Sequence, residues 1–348
     1  MSVVTDDIDA RLLDVFQEGV PFVPRPFREI GERCGIDEEE VLARVRGLKE
    51  REVVRQISAV FDTRSLGYGS SLVAARIAPE DLDAAVAVVN SHPGVSHNYL
   101  RNHEFNLWYT VAVPPTSGLG LEGTVDLLHR LSKAEATRLL PTLRLFKIGV
   151  RFDVGGQSAP VAKSKPVYTE KNRVDAGALD QTEIEFVRLM QRDLELVPEP
   201  FVAVAEALGV SFDDAAAIHA KFLATGRMRR FAALLHHRKA GFAANAMGVW
   251  AGPADDPAAL RAMGETMAGF SAVSHCYQRP SYPDWPYNLF TMVHGKSKEE
   301  CEETLAAIAE ATGITERHAL YSSKEFKKVR VHYFTDEEAE WERRHGAG

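Results

Sequence analysis

The chain has 348 residues, 45% of them hydrophobic and 26% charged, the composition of a globular protein with room for two to four small domains. Its net charge of −8, from 49 acidic residues against 41 Lys and Arg, excludes a global attraction to nucleic acid or an anionic membrane, so an anionic partner must be met by a local basic cluster. No apolar run is long enough to span a bilayer, the start MSVVTDDIDARLL lacks a basic-then-apolar leader, and Cys34, Cys276 and Cys301 form no CxxC pair; a cytoplasmic chain without disulfides or a zinc ribbon is expected.

Three helical patterns open the chain: DDIDARLLDVFQEG, FREIGERCGI and DEEEVLARVRGLKERE. Asp37 stands where the third helix needs an N-cap, just after a Gly that ends the second, which is the arrangement of a helix-turn-helix. VVRQISAVFDTRSLGY follows and is predicted to form a wing hairpin. The next pattern is strand, helix, strand, strand, helix, strand, in SSLVAARI, EDLDAAVAVVNS, VSHNYLR, FNLWYTVAV, GTVDLLHRLSK and LRLFKIGVRF, the order of a ferredoxin-like domain. Asp153 to Asp180, rich in Gly, Ser, Pro and Lys without periodicity, reads as a linker.

The whole series then repeats. QTEIEFVRLMQRD, FVAVAEALGV and SFDDAAAIHAKFLATG give the second helix triplet, with Ser211 as N-cap, and RMRRFAALLHHRKAGF the second wing. ANAMGVWAG, PAALRAMGETMAG, AVSHCYQR, YNLFTMVHG, SKEECEETLAAIAEA and SKEFKKVRVHYF give the second ferredoxin-like series. The expected fold class is α+β: a tandem repeat of winged helix-turn-helix (1–68 and 181–242) and ferredoxin-like modules (69–152 and 243–336), joined by the linker 153–180. A ferredoxin-like sheet leaves one face open, so the two halves are expected to pack sheet against sheet as an internal pseudo-dimer.

This pairing of modules resembles the Lrp/AsnC family of regulators, which implies DNA binding. The first turns of the two recognition helices argue against it. They read IDEEE and SFDDA, so Asp37 to Glu40 and Asp213 with Asp214 would face phosphate charge. No nucleic-acid partner is therefore expected.

The basic residues sit elsewhere: Arg229, Arg230, Arg238 and Lys239 in the second wing, with Arg55 and Arg64 as a thinner set in the first. His236 and His237 lie inside the cluster, and His275, Tyr277 and Arg279 follow it. Several Arg and Lys suit a ligand with many carboxylates; Tyr277, Tyr282, Trp285, Tyr287 and Phe290 supply flat walls for a large ring; histidine moves protons or ligates iron near neutral pH. Those properties together describe a tetrapyrrole.

At RRFAALLHHRKAGFAANAMGVW, VSHCYQRP, WPYNLFTMVHG and YSSKEFKKVRVHYF the second half resembles one subunit of the siroheme decarboxylases. At VVRQISAVFDTRSLGY, GVSHNYLRNHEFNLWYTV and LRLFKIGVRFDV the first half resembles the other. Both subunit types would share one chain, as in the fused NirDL form of the AhbA/AhbB pair. The resemblance implies removal of carbon dioxide from two acetate side chains of siroheme, giving 12,18-didecarboxysiroheme for haem or d-type haem synthesis, with no further cofactor and no resident metal because the substrate carries its own iron. A haem-binding sensor with the same pocket is the alternative.

Within that expectation His237 and His275 are the general acids. Arg229, Arg230, Arg238, Lys239, Arg279 and Arg330 hold carboxylates, and Tyr287 and Asn288 orient an acetate or stack on the ring with Tyr277. Thr63 stands opposite His237 and His97 opposite His275, so one site per chain is expected, in the second half, with the first half as scaffold. Asn106 and Asn288, each followed by Leu, have a structural turn as their other reading, and Phe146 and Phe326 are assigned to the core. Because Lrp-like sheets associate, a homodimer of the fused chain is also expected.

Overall fold

A computed structural model describes residues 6–148, 177–235 and 244–346. The first half runs α1 (Asp7–Glu18), α2 (Pro26–Cys34), α3 (Glu38–Glu50), β1 (Val54–Phe61), β2 (Gly69–Arg76), α4 (Leu82–Ser91), β3 (Val95–Arg101), β4 (Leu107–Val113), α5 (Gly120–Leu131), β5 (Ala136–Leu140) and β6 (Arg144–Ile148). The second runs α6 (Gln181–Met190), α7 (Pro200–Leu208), α8 (Phe212–Ala224), β7 (Met228–Leu235), β8 (Ala244–Trp250), α9 (Pro257–Ala268), β9 (Val273–Gln278), β10 (Leu289–Gly295), α10 (Lys298–Thr312), β11 (Arg317–Lys328) and α11 (Glu337–His345). No helix among the described residues is long and apolar enough to cross a membrane.

Two compact units are formed, and each draws on both halves of the sequence. One takes residues 6–67, 177–235 and 332–335; the other takes 68–148, 244–331 and 336–346.

In the first unit both helix triplets form as expected. Gly35 (φ 76°) and Gly209 (φ 68°) end α2 and α7 in the left-handed region, and the next helices are capped by Asp37 on the Glu40 N–H (2.8 Å) and Ser211 on the Asp214 N–H (3.1 Å). The expected wing hairpins are corrected by the structure. Among the described residues each wing segment gives one strand, residues 236–243 of the second lying outside them, and β1 pairs antiparallel with β7 from Val54↔Leu235 to Phe61↔Met228. The chain cannot fold straight back after β1 because Asp62 closes a turn there, accepting from the N–H and hydroxyl of Ser65 (3.1 and 3.2 Å). Phe22, after α1, stacks on Phe201 (4.4 Å between centroids) and Phe212 (5.6 Å), so the two triplets share apolar contacts as well as a ladder.

The second unit is one nine-stranded sheet in the order β5-β2-β4-β3-β11-β8-β10-β9-β6. Each ferredoxin-like module contributes its strands as fourth, first, third, second. The junctions are made by exchange. β11 pairs with β8 of its own module over Arg317–Tyr321, then with β3 of the other over Ser322–Lys328. In the first module that one long strand is split: β5 pairs with its own β2, and β6 crosses to β9. The prediction that LRLFKIGVRF closes the first module is thus corrected; ATRLL does so, and the described part of LRLFKIGVRF serves the second module. Likewise β11 begins before SKEFKKVRVHYF and ends at Lys328.

Matched side chains fasten the exchange. Arg101 Nη1 donates to the Leu320 carbonyl (2.8 Å), and Arg279 Nη1 donates to the Leu140 carbonyl and to Thr142 Oγ1 (3.3 Å). Lys147 Nζ donates to the Phe270 carbonyl (2.8 Å) just beyond α9, and Lys327 Nζ to those of Asn90 (2.8 Å) and His92 (3.1 Å) at the end of α4, where a cation also complements the helix dipole. Phe146 joins the helix-side core of the second module and Phe326 packs against that of the first. A third core holds Phe105 and Trp108 of one module with Trp285, Tyr287 and Phe290 of the other, Trp108 and Trp285 meeting edge-on at 5.2 Å. The two modules, expected to pack as separate sheets, are joined edge to edge in one sheet, and this cluster is where apolar residues of the two meet.

Phe146 fits only because α9 has no side chain at Gly264, where a Cβ would lie 2.3 Å from its ring. Gly264→Ala is expected to lower unfolding stability by about 1–3 kcal/mol, as overpacking does, and the loss should shrink in a Phe146→Ala background; urea denaturation of the four variants measures both, and equal losses in the two backgrounds would refute the contact.

Candidate active site

The candidate residues divide between the units. Arg229 and Arg230 are on β7 in the first: Arg229 Nη2 is held by the buried Asp62 carboxylate (2.9 Å), and Arg230 Nη1 lies 3.4 Å from the Gln17 carbonyl. His237, Arg238 and Lys239 fall outside the described residues, as does His236. His275, Tyr277, Arg279, Tyr287, Asn288 and Arg330 belong to the second unit. Of these, His275 and Tyr277 lie on β9, Arg279 directly follows it, and Tyr287 and Asn288 directly precede β10, while Arg330 follows β11, half-buried.

The backbone of β9 explains why His275 is presented where it is. Val273 pairs with Val293 but His275 with Met292, so Ser274 is an extra residue, a β-bulge. Without it Val273 and His275 would share a face. With it, Val273 and Cys276 turn into the helix-side core, and Tyr277 packs toward the core between the sheets. His275 is half-buried and its ring stacks with that of Tyr277 (6.0 Å). Cys276 is sealed against the Gly264 carbonyl (3.5 Å) and burial pushes its thiol well above the usual range, which removes it from any ligand or nucleophile role at neutral pH.

Ser274 Oγ lies 2.7 Å from His275 Nδ1 and 2.7 Å from His294 Nε2. The first module has the same bulge at Ser96, whose hydroxyl meets His97 Nδ1 at 2.9 Å, but its other partner is Thr110 Oγ1 at 2.8 Å. Sequence reasoning passed over Ser274 and His294. The signal was there in the repeated VSH and in MVHG, which carries a histidine where the first half has VAV.

Two assignments are changed by the geometry. Asn288, 4% exposed, accepts from the Gly252 N–H at Oδ1 (2.9 Å) and donates from Nδ2 to the Gly252 carbonyl (3.0 Å); Asn106 does the same to Ile77 (3.0 and 2.9 Å). Both are turn clamps, the structural alternative. Arg279 is 8% exposed, with its guanidinium 4.7 Å over the Tyr277 ring and 5.4 Å over Phe290, and burial lowers its pKa to about 10. Arg101, equally buried against Tyr99 (5.6 Å), is also lowered to about 10. The twin arginines bind the modules together rather than reaching outward for a carboxylate. Tyr287 is buried edge-on against Trp285 (4.9 Å) and His318 (5.7 Å), with its phenol raised by burial. Among the described residues no cluster of three or more His, Cys, Asp or Glu is placed to hold a metal ion.

The AsnC-like ligand binding domain profile matches residues 65–147 and 239–327, and that of the siroheme decarboxylase NirDL-like HTH domain matches residues 9–55. A siroheme decarboxylase of Hydrogenobacter thermophilus is 37% identical over 331 residues, 95% of this chain and 96% of its own. This chain belongs to the siroheme decarboxylase family. The crystal structure of the siroheme decarboxylase NirDL superposes with a TM-score of 0.78 at 33% identity, covering 98% of this chain and 99% of that one. NirDL in co-complex with an iron-uroporphyrin III analogue superposes at 0.76 and 32% identity, with the same coverage.

Asn288→Ala leaves a buried N–H and carbonyl of Gly252 without partners. The expected result is a loss of about 1–3 kcal/mol in unfolding stability with the KM for siroheme unchanged; intact stability with a raised KM would return Asn288 to the substrate.

Proposed function

We propose that this protein is a siroheme decarboxylase, a carboxy-lyase that converts two acetate side chains of siroheme to methyl groups and yields 12,18-didecarboxysiroheme. The observation that carries this reading is the full-length similarity, with both halves of the chain matched over 95% of its length at 37% identity. The regulator reading has less behind it. The first turn of α3 presents Glu38, Glu39 and Glu40, with Glu38 paired to Arg25 and Glu40 to Arg44 (2.8 Å), and that of α8 presents Asp213 and Asp214.

Each step exchanges a carboxylate for a proton: R–CH2–COO⁻ + H⁺ gives R–CH3 + CO2. The balance is redox-neutral, so the reaction requires no electron carrier, and the iron arrives with the substrate. The chain must pin the other carboxylates, move the reacting one out of water, and deliver a proton to the carbon. We assign the first task to Arg229, Arg230, Arg238, Lys239 and Arg330. His237 and His275 are the acids, with Tyr277 as a wall for the ring beside His275. The Asp62 carboxylate would fix the direction of Arg229, so the first half contributes to this reading more than a scaffold. Arg279 and Asn288 act through the backbone they hold.

The test is anaerobic incubation of the purified chain with siroheme and mass spectrometry of the extracted tetrapyrrole. Loss of two carbon dioxide units is expected; bound but unchanged siroheme would replace the enzyme with a sensor. In His237→Ala and His275→Ala the rate should fall by about 10²- to 10⁴-fold, the worth of a positioned acid, with siroheme binding retained. Near-normal turnover in either variant removes that residue from the mechanism.

A further inference from the structure

The bond from Ser274 to His294 has no part in an acid that acts alone. We propose that His294 and Ser274 form a proton relay into His275, an inference that rests on the assignment of His275 as the acid. Both contacts are 2.7 Å, and they meet on one buried hydroxyl. The hydroxyl has one hydrogen to give; the Met292 carbonyl is a more distant acceptor at 3.4 Å, and when the hydrogen goes to an imidazole, one of the two facing ring nitrogens carries a proton and the other accepts. Three groups thus share protons along one line, from His294 Nε2 through Ser274 Oγ to His275 Nδ1.

The first module shows what the same bulge does without this function. Ser96 still bonds His97, and the position equivalent to His294 is Ala112: the His294 N–H donates to the Ala272 carbonyl (3.0 Å) as the Ala112 N–H does to Gly94 (3.0 Å). There the third partner is Thr110, which does not titrate near neutral pH. A serine needed only to hold the histidine ring is satisfied by a threonine. The second imidazole adds a group that takes up and releases protons.

The reaction consumes one proton for each carbon dioxide, two for each siroheme. The bond from the acetate methylene to the carboxyl carbon breaks and leaves its electron pair on the methylene, which takes the proton from His275 Nε2. His275 Nδ1 receives the Ser274 hydrogen, and Ser274 Oγ takes the Nε2 hydrogen of His294, which starts as the imidazolium, protonated at both ring nitrogens, and ends as the neutral imidazole. The imidazole pair ends one proton poorer, and a single proton from water restores it. A planar ligand seated on His275 shields Nε2 from solvent, whereas the route through Ser274 reaches the ring from its other nitrogen. Ser274 and His294 are therefore positioning residues of the acid.

The experiment is single-turnover decarboxylation by the full-length protein, anaerobically, with siroheme as the probe. His294→Gln and Ser274→Ala should bind siroheme with wild-type affinity yet lose about tenfold or more in rate, up to the about 10²- to 10⁴-fold that the positioned acid itself contributes. Monodecarboxylated product should accumulate because the second proton arrives slowly. In mixtures of light and heavy water the wild-type rate should vary along a curve, from several protons moving together, and that of Ser274→Ala along a straight line. Added imidazole should restore His294→Gly.

Wild-type rates and a wild-type curve in both Ser274→Ala and His294→Gln overturn the relay. If Ser274→Ala fails to fold, the half-exposed His294 still decides through His294→Gln and the imidazole rescue, whose absence counts against the proposal. Unchanged siroheme with the wild-type protein would instead sink the enzyme reading, and a normal rate in His275→Ala the assignment of the acid.

Discussion

The exchange of terminal strands between the two ferredoxin-like modules is the constraint on which the second unit depends. A four-stranded ferredoxin-like sheet has two edges, each a row of unpaired backbone groups. Here β3 is covered by the end of β11 and β9 by β6, so each module's second strand is completed by the other's chain. The exchange also delivers a phenylalanine to the partner's core and a lysine to the end of its helix, so neither module has a complete core or a satisfied edge by itself. Two copies of the module are required by this arrangement, because one copy offers an edge that the other fills, and the tandem repeat supplies both in one chain.

The same exchange locates the candidate acid. β9 runs between β10 of its own module and β6 of the other, and Ile148 of β6 stands opposite His275. His275, next to the bulge, is thus paired on both sides, which fixes its ring relative to Tyr277 and the Ser274 hydroxyl. The division of labour expected from sequence, a working second half on a passive first half, is too simple. The first half provides β6 beside the histidine and Asp62 beside Arg229.

Much of this was legible in the sequence. The repeat, the helix triplets, their caps and the strand order within each module follow from spacing and turn residues, and the structure has them. What spacing could not reveal was pairing between distant segments. VVRQISAVF reads equally well as half of a hairpin or as one strand of a ladder with RMRRFAALL, and the turn that decides is a hydrogen bond from Ser65 to Asp62. ATRLL has too little alternation to register as a strand, so the crossing of LRLFKI to the other module stayed hidden. In the site, His275 and Tyr277 were visible as residue types in a suspicious hairpin. The bulge that turns both away from the face of Val273 was not, since it is a property of register. The backbone contacts of Arg279 and Asn288 were hidden for a related reason: charge and amide groups beside a histidine look like ligand contacts until their backbone partners are known.

The internal repeat offers a way to separate architecture from chemistry without any second protein. Where both copies keep a residue and its contact, the contact serves the fold. Arg101 and Arg279 reach the same kind of carbonyl, Asn106 and Asn288 the same kind of turn, and Lys327 and Lys147 each meet carbonyls at the C-terminal end of a helix. Where the copies share a frame and differ in one member, the difference carries function. Ser96 and Ser274 sit in equivalent bulges and bond equivalent histidines, yet one ends on a threonine and the other on a second imidazole. Folding requirements act equally on both copies and would keep the two alike. A titratable group on one side alone answers to a demand that only that side meets, and for a reaction that uses one proton per carbon dioxide that demand is a supply of protons.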